Sequence, residues 1–172
     1  MNEVCIRPER TADQPAIFEV ERLAFDSVVQ PRLVDALRAS AHPSVSLVAE
    51  TGGDVVGHVF FSPVTFESPD APAAAQLSPL AVHPDHQGAG IGATLIRAGL
   101  EACREVGWRA VFLVGNPLYY RRFGFEMAGP LGFSCGGPHD PFLQVIELAP
   151  GALTGIVGPI AFHPAFDEAD AS

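Results

Sequence analysis

LSPLAVHPDHQGAGIGA, residues 77–93, passes from strand to bend to glycine-rich turn to helix. Leu80, Ala81 and Val82 end an apolar run, and His83-Pro84-Asp85 interrupts it. Beyond the turn, Ile91, Leu95, Ile96, Leu100 and Cys103 recur at the spacing of one helix face. Gly88, Gly90 and Gly92 leave the backbone N–H groups of residues 88–93 uncovered by side chains. A helix start adds about half a positive charge and several amides without partners. Together these make a phosphate cradle that needs no lysine. The expectation is a turn that grips the pyrophosphate of a nucleotide-like cofactor.

Outward from this stretch, apolar alternation and turn residues predict the remaining elements. Residues 4–7 read as a first strand. Thr11-Ala12-Asp13 offers an N-cap to a helix carrying Ile17, Val20, Leu23, Ala24 and Phe25. Pro31 opens a second helix with Leu33, Val34 and Leu37. Residues 45–50 and 55–61 form a hairpin across Gly52-Gly53-Asp54, and Gly57 marks a close approach or a bulge. Pro63, Pro69 and Pro72 predict a loop. Residues 74–82 are a strand in which Pro79 forces a bend or bulge. The helix over 90–106 stops at Gly107, and residues 109–114 are a buried strand, so this unit is a right-handed parallel crossover. A short helix runs from Asn116-Pro117 through Arg122. A long Gly- and Pro-rich loop follows Phe125, then strands over 142–148 and 155–162. Residues 1–166 read as one domain and residues 167–172 as an acidic, frayed tail.

Bulk composition narrows the function. Hydrophobic residues make up 48% of the chain, enough for a core, and no apolar run spans a membrane. The formal charge of −10 argues against nucleic acid and suits a cationic substrate. Cys5, Cys103 and Cys135 are odd in number and lack metal-ligand spacing, which suits reduced thiols in a cytoplasm. His83 and His86 flank a tight Pro-containing turn with no further ligands near, so no metal is expected.

The motifs resolve the cofactor. Gly88-x-Gly90-x-x-Ala93 fits the dinucleotide pattern G-x-G-x-x-G/A, yet that pattern wants an acid at the end of the next strand. That strand ends Leu113-Val114-Gly115-Asn116, with none. Gln87-x-x-Gly90-x-Gly92 instead resembles the Q/R-x-x-G-x-G/A acetyl-CoA signature of the GCN5-related N-acetyltransferases, the GNAT superfamily. Asn116 and Tyr119-Tyr120-Arg121-Arg122-Phe123-Gly124-Phe125 resemble that family's second signature, a Tyr four residues before Gly-Phe. The segment 142–153 resembles a YhbS-like bacterial subgroup. The resemblance implies an α/β fold with a twisted mixed sheet of six to seven strands, a bulged and splayed parallel pair, and about four helices. It implies a cytoplasmic acetyltransferase that moves the acetyl group of acetyl-CoA directly to a primary amine, without metal.

Cofactor contacts are then expected from Gln87, Gly88, Ala89, Gly90, Ile91, Gly92 and Ala93 at the pyrophosphate, and from Leu80, Ala81 and Val82, whose backbone would polarise the thioester. Asn116 would meet the pantetheine arm or cap a helix. Tyr120 is the expected acid for the departing thiolate, with Tyr119 its rival. Tyr119 and Phe123 would pack on the cofactor. Arg121 and Arg122 would reach phosphate or form a solvated face. Phe25 and its neighbours would face the acceptor, a small-molecule or protein amine. Many family members place a Glu on the bulged strand as base. Here Ser78 and Pro79 stand there, leaving Glu67, Asp70 or Glu21 acting through water. The missing carboxylate keeps a second reading open, a non-catalytic acyl-CoA-binding sensor. Apolar late residues such as Ile156 and Val157 would permit strand pairing in a homodimer.

Overall fold

The computed structural model describes residues 2–171; Met1, and Ser172 at the end of the expected tail, lie outside the described residues. β1 (Val4–Pro8) pairs antiparallel with β2 (Val45–Thr51), β2 with β3 (Asp54–Phe66), and β3 with β4 (Ala74–Val82). β4 runs parallel to β5 (Ala110–Val114), and β8 (Leu143–Glu147) and β6 (Glu126–Met127) extend the sheet antiparallel. The order along the sheet is β1-β2-β3-β4-β5-β8-β6. β9 (Gly158–Ala161) pairs with the end of β3 and with β7 (Phe133–Ser134) off this path.

Helices cover both faces. α1 (Gln14–Phe25) and α2 (Val29–Ser40) bury Ile17, Leu33, Val34 and Leu37 against Val48 and Phe60. α3 (Ile91–Val106) buries Leu95, Ile96, Leu100 and Cys103 against Val59, Phe61, Leu77 and Val111 on the opposite face. α3 lies very close to β3. A Cβ on Gly99 would stand 2.3 Å from the Phe61 ring, and one on Gly57 2.9 Å from Leu95 Cδ1. Gly57 also adjoins a register shift between β2 and β3, so the close approach and the bulge occur together.

The β4 strand opens the molecule. Its register against β3 passes from Val59↔Leu80 to Phe61↔Leu77, one residue longer on the β4 side. The extra residue falls at Ser78-Pro79, whose proline has no amide to give the ladder. β4 pairs with β5 only at Ala74, Ala75 and Gln76, after which the two strands part. Backbone groups on that edge of β4 therefore face an opening rather than a neighbouring strand.

Several boundaries differ from expectation. β3 continues through Pro63 to Phe66, because Val64 is buried and Thr65 and Phe66 gain β9 as a partner. α2 starts at Val29, and Pro31 sits within its first turn, where a missing amide costs no helix bond. The segment after Phe125 contains β6, β7 and short 3-10 turns, too brief to show periodicity. The last strand is only Gly158–Ala161, so Ile156 and Val157 precede it rather than offering a strand edge. The acidic tail is helical as α5 (Ala165–Asp170), because Ala165, Phe166 and Ala169 pack against the α1–α2 cluster.

Candidate active site

α3 begins where the chain leaves β4. Its N-cap is Gly90 in the left-handed region (φ 83°), and Gly88 is left-handed as well (φ 77°). A Cβ at either position would meet open space, so backbone curvature rather than crowding sets the glycine requirement. Among the described residues, the amides of residues 88–93 have no hydrogen-bond partner, whereas the next amide, Thr94 N–H, bonds Gly90 O at 3.0 Å. The turn itself is braced. His83 N–H donates to Val56 O at 2.8 Å, and Gln87 Nε2 donates to Val82 O at 3.0 Å. Gln87 thus ties the turn to the end of β4, a role its place in the motif does not disclose.

Leu80, Val82, Gln87, Gly88, Gly90, Ile91, Gly92, Ala93 and Tyr119 line one cavity of about 450 Å³. His86 and Arg122 complete its wall, adding basic side chains at the orphan amides. Of the two arginines expected to reach phosphate or form a solvated face, Arg122 lines this cavity and Arg121 does not. The Arg122 guanidinium lies 4.6 Å from the Tyr119 ring centroid and its Nε donates to Tyr119 O at 2.9 Å. The cavity joins uncovered amides, the Arg122 guanidinium and an apolar wall from β4, features that fit a pyrophosphate with an arm running along the strand.

The remaining expected residues surround this cavity without lining it. Ala81 is buried and stands opposite His58, toward the α1 face. Ala89 lines an adjoining cavity of about 580 Å³ with His86 and Ile91. Asn116 caps α4 (Pro117–Tyr120), its Oδ1 accepting from Leu118 N–H at 3.0 Å. Tyr120 packs over Gly115, where a Cβ would come within 2.6 Å of its ring, and lies edge-on to Tyr119 and Phe125. Burial pushes the Tyr120 phenol up to about 12. Phe123 packs against Tyr119 with Arg97 over its ring. The Tyr119 hydroxyl stands 3.3 Å from where a Gly92 Cβ would be, a point that is itself within 4.0 Å of the Val82 and Leu80 side chains. Phe25 is 41% exposed.

Of the three carboxylates considered as a base, Glu67 and Asp70 are exposed beyond the far end of β3. Glu21 is fully buried on α1 and bonded to His58, a partnership with no signal in linear spacing. Among the described residues, no group of three or more His, Cys, Asp or Glu is placed to hold a metal ion, and no helix is long and apolar enough to cross a membrane.

Residues 14–125 match the acetyltransferase (GNAT) family. The N-acetyltransferase YhbS of Escherichia coli (strain K12) is 36% identical over 164 residues, 94% of this chain and 98% of that protein. The structure of E. coli YhbS in complex with CoA superposes with a TM-score of 0.90 at 34% identity, covering 97% of this chain and 93% of the other. A GNAT family acetyltransferase from Brucella melitensis, solved with acetyl-CoA, gives a TM-score of 0.80 at 36% identity, covering 97% of this chain and all of the other.

Proposed function

The chain belongs to the GNAT acetyltransferase family, and from that premise we propose that it moves the acetyl group of acetyl-CoA to a primary amine by direct attack. The observation that carries this reading is the cavity at the start of α3, where unpartnered amides meet the opened edge of β4. Residues 88–93 hold the pyrophosphate through backbone N–H groups and the helix N-terminus, with Arg122 adding charge. Asn116 meets the pantetheine arm through its side-chain amide nitrogen, which has no hydrogen-bond partner among the described residues, while its Oδ1 caps α4.

The bound co-substrate supplies an acetyl thioester. The exposed edge of β4 near residues 80–82 presents a backbone N–H to the thioester oxygen, as an oxyanion-type donor. Such a donor costs no reorganisation, because the bulge and the parting of β5 have already freed it. Tyr120 donates to the departing sulfur. Its phenol, held near 12 by burial, keeps its proton at any pH at which an amine is acetylated. The same value lies above a thiol's ordinary pKa of about 8.5, so Tyr120 acts chiefly as a hydrogen-bond donor while negative charge develops on sulfur.

The test is acetyl-CoA binding by calorimetry, followed by thiol release against small amines, polyamines, aminoglycosides and amine-bearing peptides. Binding with release that depends on one acceptor class is expected. Absence of binding at high micromolar acetyl-CoA sinks the proposal. Tight binding with no release for any acceptor favours a sensor over an enzyme.

A further inference from the structure

The sheet face opposite α3 holds a connected polar chain inside the hydrophobic core. Glu21 on α1 and His58 on β3 are both fully buried, with Glu21 Oε1 2.6 Å from His58 Nδ1. His58 Nε2 lies 2.8 Å from Ser46 Oγ on β2. Ser46 Oγ hydrogen-bonds in turn to Glu9 Oε2, just beyond β1. Arg38 on α2 donates to the other oxygen of Glu9 at 2.5 Å and to Asp35 at 2.7 Å. Glu9, Ser46 and Arg38 line a cavity of about 510 Å³. The chain therefore runs from beneath α1 to a cavity on the flank of the sheet.

Its protons can be counted. The links Glu21–His58, His58–Ser46 and Ser46–Glu9 each need one proton. A neutral imidazole and a hydroxyl bring only two. The third must sit on the imidazole or on one of the two carboxyls, so the chain holds a proton that each link can pass on. Burial pushes the Glu21 carboxyl up, against the opposing hydrogen bond with His58.

Placement ties this chain to the strand opening. His58 stands opposite Ala81 on β4, and alternation puts His58, Phe60 and Ser62 on the face that α1 and α2 cover. Gln76 stands opposite Ser62 and is the last β4 residue paired with β5. Among the described residues, Glu21 Oε2, Ser62 Oγ and Gln76 Oε1 are buried without a hydrogen-bond partner. All three accept hydrogen bonds, and buried acceptors of this kind are ordinarily satisfied by water.

We propose that Glu21, His58, Ser46 and Glu9 are the proton outlet of acetyl transfer, replacing the strand carboxylate that Ser78-Pro79 does not provide. The proposal rests on the acetyltransferase reading. As the new C–N bond forms, the C–S bond of the thioester breaks, sulfur leaving with its electron pair as a thiolate hydrogen-bonded by Tyr120, and an N–H bond of the amine breaks. Its proton passes through water held by Ser62 and Gln76 to Glu21 Oε2. The chain hands a proton from Glu21 to His58 Nδ1, from His58 Nε2 to Ser46, and from Ser46 to Glu9, which releases one to water in the flanking cavity. One proton enters and one leaves, so the count of the chain is unchanged. These are relay residues; none of them touches the thioester.

Thiol release from acetyl-CoA, measured against pH with the amine panel, tests this in wild type, Glu21→Gln and Ser46→Ala. Glu21→Gln should lower kcat about 100-fold, the usual scale of a lost general base. It should also flatten the pH profile and leave acetyl-CoA affinity within about 2-fold, on the principle that a group acting only in the transition state does not change ground-state binding. Ser46→Ala, at the less buried end, should flatten the profile in the same way, and the double variant should be no slower than Glu21→Gln alone. In wild type, rates in mixtures of light and heavy water should curve, reporting more than one proton in flight. If Glu21→Gln does not fold, Ser46→Ala and the wild-type isotope measurement decide. An unmoved profile in Ser46→Ala with a linear isotope plot overturns the relay while leaving the acetyltransferase intact. A wild type with no thiol release for any amine removes both.

Discussion

Adjacent tyrosines stand in different surroundings. The Tyr119 hydroxyl approaches Gly92 at the cradle and its ring carries Arg122, whereas Tyr120 packs over Gly115 at the end of β5. Their losses should therefore separate. Tyr120→Phe should lower kcat about 100-fold with acetyl-CoA affinity nearly unchanged, because in the proposed reaction its hydroxyl acts only as charge develops on sulfur. Tyr119→Phe should weaken acetyl-CoA binding and spare kcat. Reversed phenotypes in thiol-release kinetics would exchange the two roles. An alkaline absorbance titration should also show one tyrosine ionising near 12 that is missing from Tyr120→Phe. A third residue bears on stability. Arg7 forks onto Asp13 at 2.7 and 2.9 Å and also bonds Glu50 at 2.6 Å. It holds the Asp13 carboxyl down at about 2. A folded pKa below the unfolded value stabilises above about pH 4, and that contribution is lost as pH falls through about 2. For this part-buried pair it amounts to about 2 kcal/mol at most. Urea unfolding at neutral pH and near pH 3 should show wild type losing more stability than Asp13→Asn; equal losses would mean that the pair does not titrate with folding.

At the scale of elements, the packing of α3 on β3 sets where the cradle points. A Cβ at Gly99 would penetrate the Phe61 ring, which is itself fully buried and cannot swing aside. Gly99→Ala should cost about 1–3 kcal/mol through overpacking, offset only in part by better helix propensity. The melting temperature should drop accordingly, and acetyl-CoA binding should weaken as the helix start shifts. A variant as stable as wild type would show that α3 tolerates displacement. Elements of this kind were readable in advance because they carry strong periodicity. The heptad-like face of α3, the alternation of β2 and β3, and the glycine turn before α3 all announce themselves locally. Pro79 announced the bulge for a chemical reason, its missing amide. What the sequence left hidden depends on distant partners. β3 runs past Pro63 only because β9, about 95 residues away, pairs with it. Helix α5 forms because α2 offers an apolar seat. The site divides in the same way. Residues 87–93 were legible as a motif, while the Glu21–His58–Ser46–Glu9 chain joins α1, β3, β2 and the segment after β1, whose spacing means nothing until the sheet is assembled.

For the molecule as a whole, charge poses a problem that the site must solve locally. The chain carries 20 acidic and 10 basic residues, a formal −10 at neutral pH. Coenzyme A is a polyanion, so the far field of the protein opposes its approach. The local answer in the proposed site is the orphan amides of residues 88–93 and Arg122, which line one cavity. A cationic acceptor meets the reverse situation, drawn by the far field toward the acidic surface. The two substrates should then respond to salt with opposite signs. Between about 0.02 and 0.2 M salt the screening length shrinks from about 20 to 7 Å. Attraction of a polyamine should fade across that range, lowering kcat/KM for it severalfold. Repulsion of acetyl-CoA should fade equally, so its kcat/KM should hold or rise. Steady-state thiol release with each substrate varied in turn separates the cases. If both parameters fall together, the cradle's local charge governs encounter with the coenzyme and the net charge of the protein does not. If neither moves, binding is set at contact, by the amides and the opened edge of β4.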